Sequence, residues 1–103
     1  MTESIGYACY IRVRTRPEKR DEFARLITEL RRNVHHHETG TLVFELLQGA
    51  DPNEFVFFEC FADEAAQRAH QNAPYHVSMA AAGWACLDGK PVIEFLKPVS
   101  PGR

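Results

Sequence analysis

The hydrophobic positions change period several times along the chain, and each change marks an element. Residues 5–14, IGYACYIRVR, set Ile5, Tyr7, Cys9, Ile11 and Val13 against Gly6, Ala8, Tyr10, Arg12 and Arg14. That two-residue alternation predicts a strand. After Pro17 the spacing lengthens, and Phe23, Leu26, Ile27, Leu30 and Val34 make one apolar stripe at helical intervals. Pro17 and Glu18 suit a first turn, where a missing N–H costs little and an acid meets the dipole. A helix is therefore expected from about Pro17 to about His37, stopped by Thr39-Gly40, with Arg25, Arg31 and Arg32 in water. Two apolar runs follow, TLVFELLQ at 41–48 and EFVFFECFA at 54–62, joined by the turn-rich GADPN at 49–53. They predict a hairpin. Asp63 is a good N-cap for a helix over 64–71, which Pro74 ends or kinks. Val77, Ala80, Ala81 and Trp84 carry a further short stripe interrupted by Gly83. Asp88-Gly89 is a turn, PVIEFLKP at 91–98 a last strand, and Ser100 to Arg103 a polar tail.

The order β-α-β-β-α-β is the ferredoxin-like arrangement of the α+β class. Such a sheet has one face on its helices and the other normally polar. Here the middle strands do not alternate cleanly. Val56, Phe58 and Cys60 lie opposite Phe55, Phe57, Glu59 and Phe61, and both sets are mostly apolar. The second face needs a cover, and a second copy laid sheet on sheet predicts a homodimer.

Composition narrows the function classes. At 103 residues the chain reads as a single domain with its core over about 5–98. A net charge of −2 gives no electrostatic footprint for nucleic acid or an anionic membrane. No apolar run approaches the ~20 residues of a membrane span, and MTESIGYACY lacks a signal peptide's basic start and apolar run. Cys9, Cys60 and Cys86 are an odd number without C-x-x-C spacing. They read as buried thiols of a reducing compartment, which points to the cytoplasm. With no glycine-rich phosphate loop, G-x-S-x-G or dinucleotide fingerprint, a nucleotide-type cofactor is not expected.

The candidate chemistry falls between Phe55 and His76. Glu59 is a carboxylate between Phe57 and Phe61 on a strand that should be central. Burial would raise its pKa and fit it for general acid–base work; otherwise it pairs with an arginine such as Arg12. His70 follows Ala66 and Ala69 on a helix and can look into a pocket those alanines leave open, or else it serves the helix dipole. Tyr75 and His76 open the next turn, and neighbours on a helix diverge by about 100°, so one of the two is expected to face a cavity. His35, His36 and His37 diverge in the same way, lack a second ligand cluster, and are not read as a metal site. Cys9 has no nearby cation in sequence, which argues against a nucleophilic thiolate.

Several runs together resemble the antibiotic biosynthesis monooxygenase family: Glu38-Thr39-Gly40-Thr41-Leu42, Phe44-Glu45-Leu46-Leu47-Gln48, Phe57-Phe58-Glu59, Asp63-Glu64-Ala65-Ala66, and His70 with Pro74 four residues on. The branch most similar is that of small quinol monooxygenases and the related autoinducer-2 phosphate isomerase. The resemblance implies a dimeric α+β barrel with an apolar pocket in each subunit. It implies a cofactor-independent monooxygenase in which a phenolic or quinol-like substrate is deprotonated and its anion reduces dioxygen. His70 falls on the family's helical His and Glu59 on its strand Glu. Branch members carry His directly after the Pro, where this chain has Tyr75, with His76 one later. A haem-degrading branch shares the fold, but carries Trp at the position of Phe61 and a haem-ligating His without a match here. The expected proton-handling residues are His70 and Glu59. Tyr75 or His76 would orient a substrate oxygen, with Tyr7, Cys9, Phe44 and Phe57 as walls. The alternatives are an isomerase of a small carbonyl compound using the same pair, or a non-catalytic dimeric binding module.

Overall fold

The computed structural model describes residues 4–99, so the tail expected over 100–103 lies outside the described residues. Strand β1 (Tyr7–Arg14) leads through a 3-10 turn at Pro17–Lys19 into helix α1 (Arg20–His37). The hairpin β2 (Thr41–Gln48) and β3 (Glu54–Phe61) follows, then α2 (Glu64–Asn72), α3 (Pro74–Trp84) and β4 (Val92–Leu96). The strands pair antiparallel in the order β2-β3-β1-β4, and the fold is α+β and ferredoxin-like. The second helical segment is two helices because Pro74 forces the residue before it out of helical space: Ala73 has φ −60 and ψ 135. Asp88-Gly89 turns as expected, with Gly89 at φ +88.

Alternation in β1 and β3 decides which side meets the helices. Antiparallel register sets Val13 opposite Phe55, Ile11 opposite Phe57 and Cys9 opposite Glu59, all turned toward the helices. Onto this face α1 lays Phe23, Ile27, Leu30 and Val34, which close the core with Phe44, Phe55 and Phe57. Each such side chain contributes about 1.5–3 kcal/mol on full burial. Arg25 and Arg32 are exposed as expected. Arg31 is not simply solvated: its Nε and Nη2 donate to the two carboxylate oxygens of Glu45 at 3.0 Å each. β2 is an edge strand, which leaves Glu45 within reach of α1.

Two departures from simple periodicity shape the interior. In β2, Thr41 pairs with Phe61 but Val43 pairs with Cys60, so Leu42 is an extra residue in the ladder. Such a bulge re-aims a side chain, and it turns Thr41 to the same side as Phe44 and Phe61. In α3, the expected stripe of Val77, Ala80, Ala81 and Trp84 does not pack the core. Tyr75, Met79 and Gly83, four apart, do so instead. A Cβ on Gly83 would lie 3.5 Å from Ile27.

The opposite sheet face keeps its apolar character in the open. Leu47 is 51% exposed, Phe58 39% and Leu96 42%. All of β4 is exposed, including Ile93 and Phe95, which point to the helix side. The three cysteines are free and buried. No helix of the described residues is long and apolar enough to cross a membrane.

Candidate active site

Helix α2 begins where Asp63 accepts a hydrogen bond from Ala66 N at 2.8 Å, the expected N-cap. Gly40 lets the chain after α1 pass beneath it, because a Cβ there would come within 2.7 Å of Ala66 Cβ. His70, four residues beyond Ala66, lies on the same helix face and is 3% exposed. Its ring sits among Phe44 (centroids 5.4 Å apart), Phe61 (5.5 Å) and His76 (4.6 Å).

The two nitrogens of His70 meet different carboxylates. Nδ1 lies 3.0 and 3.2 Å from the oxygens of Glu38. Glu38 is the first residue past α1, its N–H donating to Val34 O at 3.0 Å. It also accepts from Thr41 Oγ1 at 2.5 Å and from the Tyr75 hydroxyl. Burial alone would raise its pKa, but the hydrogen bonds from His70, Thr41 and Tyr75 prevail and bring it down to about 2. Burial and the same carboxylate push the Tyr75 phenol above its ordinary range.

On the other side, Nε2 lies 3.9 Å from Glu59 Oε1, beyond a direct hydrogen bond. Glu59 is 5% exposed, and among the described residues no donor hydrogen-bonds to its carboxylate. Burial raises it, the nearby His70 opposes this and the Glu38 charge adds to it, with a net pKa of about 7. The pairing with Arg12 considered from the sequence does not form; Arg12 turns to the opposite face and donates to Tyr10 Oη at 2.7 Å. Cys9, across the ladder from Glu59, is pushed up to about 12 by burial and by that carboxyl. It is therefore a thiol at neutral pH. Burial and the proximity of His70 lower the His76 pKa.

A front cavity of about 400 Å³ opens on the Nε2 side. Glu59, His70 and His76 give it a polar end, and Ile11, Trp84 and Phe95 contribute apolar walls. Gln67 and Gln71 of α2 add amides that bond each other at 3.2 Å. A void of about 40 Å³ extends it past Glu59 toward Phe44, Phe57 and Leu30. No lysine or arginine lines either space among the described residues. A rear cavity of about 340 Å³ lies on the Nδ1 side, bounded by Glu38, Gly40, Thr41, Ala66, Ala69 and Tyr75. His70 is the partition between them.

Of the residues singled out from sequence, Glu59, His70, His76 and Cys9 line the front cavity, and Phe44 and Phe57 line its inner extension. Tyr75 faces the rear cavity instead, so the pair 75–76 is split between the two. Tyr7 stands one layer back, stacked on Phe95 at 5.9 Å. His35 donates from Nε2 to Phe44 O at 3.2 Å, while the His36 and His37 rings meet edge-on at 4.6 Å. No three metal-ligating side chains converge among the described residues. Sequence reasoning missed Glu38. An acid at the negative end of a helix dipole runs against the electrostatic preference, and that misfit was the available signal.

The chain is thus a ferredoxin-like α+β protein with a buried carboxyl and an imidazole 3.9 Å apart at the polar end of a largely apolar cavity. The sequence profile described as antibiotic biosynthesis monooxygenase matches residues 6–82, and the chain belongs to that family. A Caulobacter crescentus structure assigned by name to the same family is 25% identical, covers 95% of this chain and 93% of its own, and superposes at a TM-score of 0.88. Two others show the fold: a conserved protein from Methanosarcina mazei (20% identity, 92% and 94% covered, TM-score 0.85) and Rv0793 from Mycobacterium tuberculosis (23%, 91% and 95%, 0.84). No curated protein matches the chain in sequence.

Proposed function

We propose that the protein is a cofactor-independent monooxygenase acting on an uncharged phenolic or quinol-like molecule in the front cavity, with dioxygen as co-substrate. The observation that carries this reading is the buried Glu59 carboxyl, 3.9 Å from His70 Nε2 and without a hydrogen-bond donor among the described residues, at the polar end of a largely apolar space. Nε2 accepts the phenol proton. The resulting electron-rich ring anion reduces dioxygen, and the two combine at a ring carbon to give a peroxide. One oxygen stays on the ring; the other leaves as water, with protons from the substrate's own O–H and C–H groups. For a hydroquinone the sum is hydroquinone plus O₂ to hydroxyquinone plus water. Glu59, with a pKa near neutrality, suits a donor to the developing oxyanion when protonated and an acceptor when ionised. The apolar walls keep the anion from bulk water.

An isomerase of a phosphorylated substrate is less well supported. Its phosphate would want a cation, and the cationic side chain on α2, Arg68, is exposed beside Glu64 at 3.9 Å. In a purely structural site, Glu59 and His70 would satisfy each other, and their separation does not serve that purpose.

The test is oxygen uptake with a panel of hydroquinones. His70→Ala and Glu59→Gln should each lower the rate by on the order of 10²–10⁴. Uptake that survives both substitutions overturns the site assignment, and no uptake with any quinol overturns the activity. The exposed sheet face around Leu47, Phe58 and Leu96 further supports a homodimer joined sheet on sheet. Light scattering should give twice the chain mass for the native protein and the single mass for Phe58→Asp. A native monomer at micromolar concentration would remove the dimer.

A further inference from the structure

We propose that Glu38 and Tyr75 form with His70 a positioning triad, which locks the imidazole as its Nδ1–H tautomer and aims a free Nε2 lone pair into the front cavity. The catalytic sense of this proposal rests on reading His70 as the base; the tautomer itself does not.

Packing encloses the ring but does not choose its tautomer. Phe44, Phe61 and His76 surround it, and it lines both the front cavity and the rear one. None of those three neighbours hydrogen-bonds to a ring nitrogen. The polar group that does so is Glu38, 3.0 Å from Nδ1.

Glu38 is in turn held from two other elements. The bulge in β2 delivers the Thr41 hydroxyl, at 2.5 Å, and the first turn of α3 delivers the Tyr75 hydroxyl. Both can only donate here, because a carboxylate held near pKa 2 is ionised and accepts alone. The Nδ1 contact must then also be a donor. The other tautomer would set a nitrogen lone pair against a negative oxygen.

With Nδ1 protonated, Nε2 carries the lone pair that faces Glu59 and the bound substrate. When it takes the phenol proton the ring becomes imidazolium, stabilised by the adjacent negative charge. The Nδ1 proton stays on the ring, and the Nε2 proton later returns to reduced oxygen. Glu38, Tyr75 and Thr41 touch no atom in the front cavity; they act through the ring.

The tautomer can be read from long-range ¹H–¹⁵N correlation spectra of histidine-labelled protein in alkaline buffer, where imidazoles are neutral. Native His70 should show the Nδ1–H pattern. Glu38→Gln, whose amide can donate to Nδ1, should convert it to Nε2–H. The pattern of His76, whose Nδ1 donates to Gln71 O at 3.2 Å, should stay unchanged and serve as internal control. Tyr75→Phe and Thr41→Val should keep the native pattern, since the carboxylate remains. With a quinol the native protein oxidises, Glu38→Gln should lower kcat by on the order of 10²–10⁴ and leave KM near its native value. A native His70 in the Nε2–H form overturns the proposal even if Glu38→Gln fails to fold or no quinol is consumed. So does a folded Glu38→Gln protein that retains Nδ1–H.

Discussion

Glu38 and Glu59 flank one imidazole, 3.0 Å from its Nδ1 and 3.9 Å from its Nε2, yet they are opposite kinds of acid. Both are withdrawn from water, and withdrawal alone would raise both. Glu38 receives three hydrogen bonds, and its pKa falls to about 2. Glu59 receives none among the described residues, and its pKa rises to about 7. The donors on Glu38, together with the deeper burial of Glu59, separate an anion at neutral pH from a group that can exchange a proton there. On the proposed reading, that difference leaves positioning to one side of His70 and proton exchange to the other.

The largest effect should come from removing the anion. Glu38→Ala strands three donors and is expected to cost about 3–5 kcal/mol in urea unfolding at pH 7. Glu59→Gln should not destabilise the protein there and is expected to raise its stability, by up to about 3 kcal/mol, since it removes a group whose ionisation opposes folding. Equal losses from the two would erase the contrast.

The pH dependence of stability should separate them by sign. Glu59 is raised in the folded state from 4.5 to about 7. Its contribution is therefore full below about pH 4.5, falls as pH rises, and is gone above about pH 7. The span is about 3 kcal/mol, measured as native minus Glu59→Gln unfolding free energy. Glu38, lowered from 4.5 to about 2, contributes fully above pH 4.5 and loses that contribution as the pH falls toward 2. A native-minus-mutant difference that rises with pH for Glu59 would contradict its unpartnered state.

The smallest effect concerns a single donor. Thr41→Val should cost about 1 kcal/mol and raise the Glu38 pKa. An unchanged Glu38 titration, followed by carbon NMR of its carboxyl, would show that the bulged Thr41 hydroxyl contributes nothing to the anion.

The architecture was legible because β1 and α1 state their periods without ambiguity, and because Asp63, Pro74 and Asp88-Gly89 punctuate where the backbone needs them. Glu59 and His70 stood out as polar residues on apolar ground. Glu38 offered only its misfit with the α1 dipole, a weak signal until the chain folds α2 and α3 over it. Its donors come from residues 41, 70 and 75, two of them remote in sequence. Which side of α3 meets the core was not legible for another reason. A cavity wall is as apolar as a core face, so Val77, Ala80, Ala81 and Trp84 gave the same signal that packing would. Which row is covered depends on the helix's rotation, which here lays Gly83 over Ile27 and Phe23.

That rotation divides α3 into two rows with separate obligations. Tyr75, Met79 and Gly83 answer to the core, while Ala80, Ala81 and Trp84 line the front cavity. A lineage can therefore enlarge, narrow or reshape the binding space through point substitutions in the second row, with folding selection acting on the first. Diversification of ligands on this scaffold should leave its trace as drift at 80, 81 and 84 beside constancy at 75, 79 and 83.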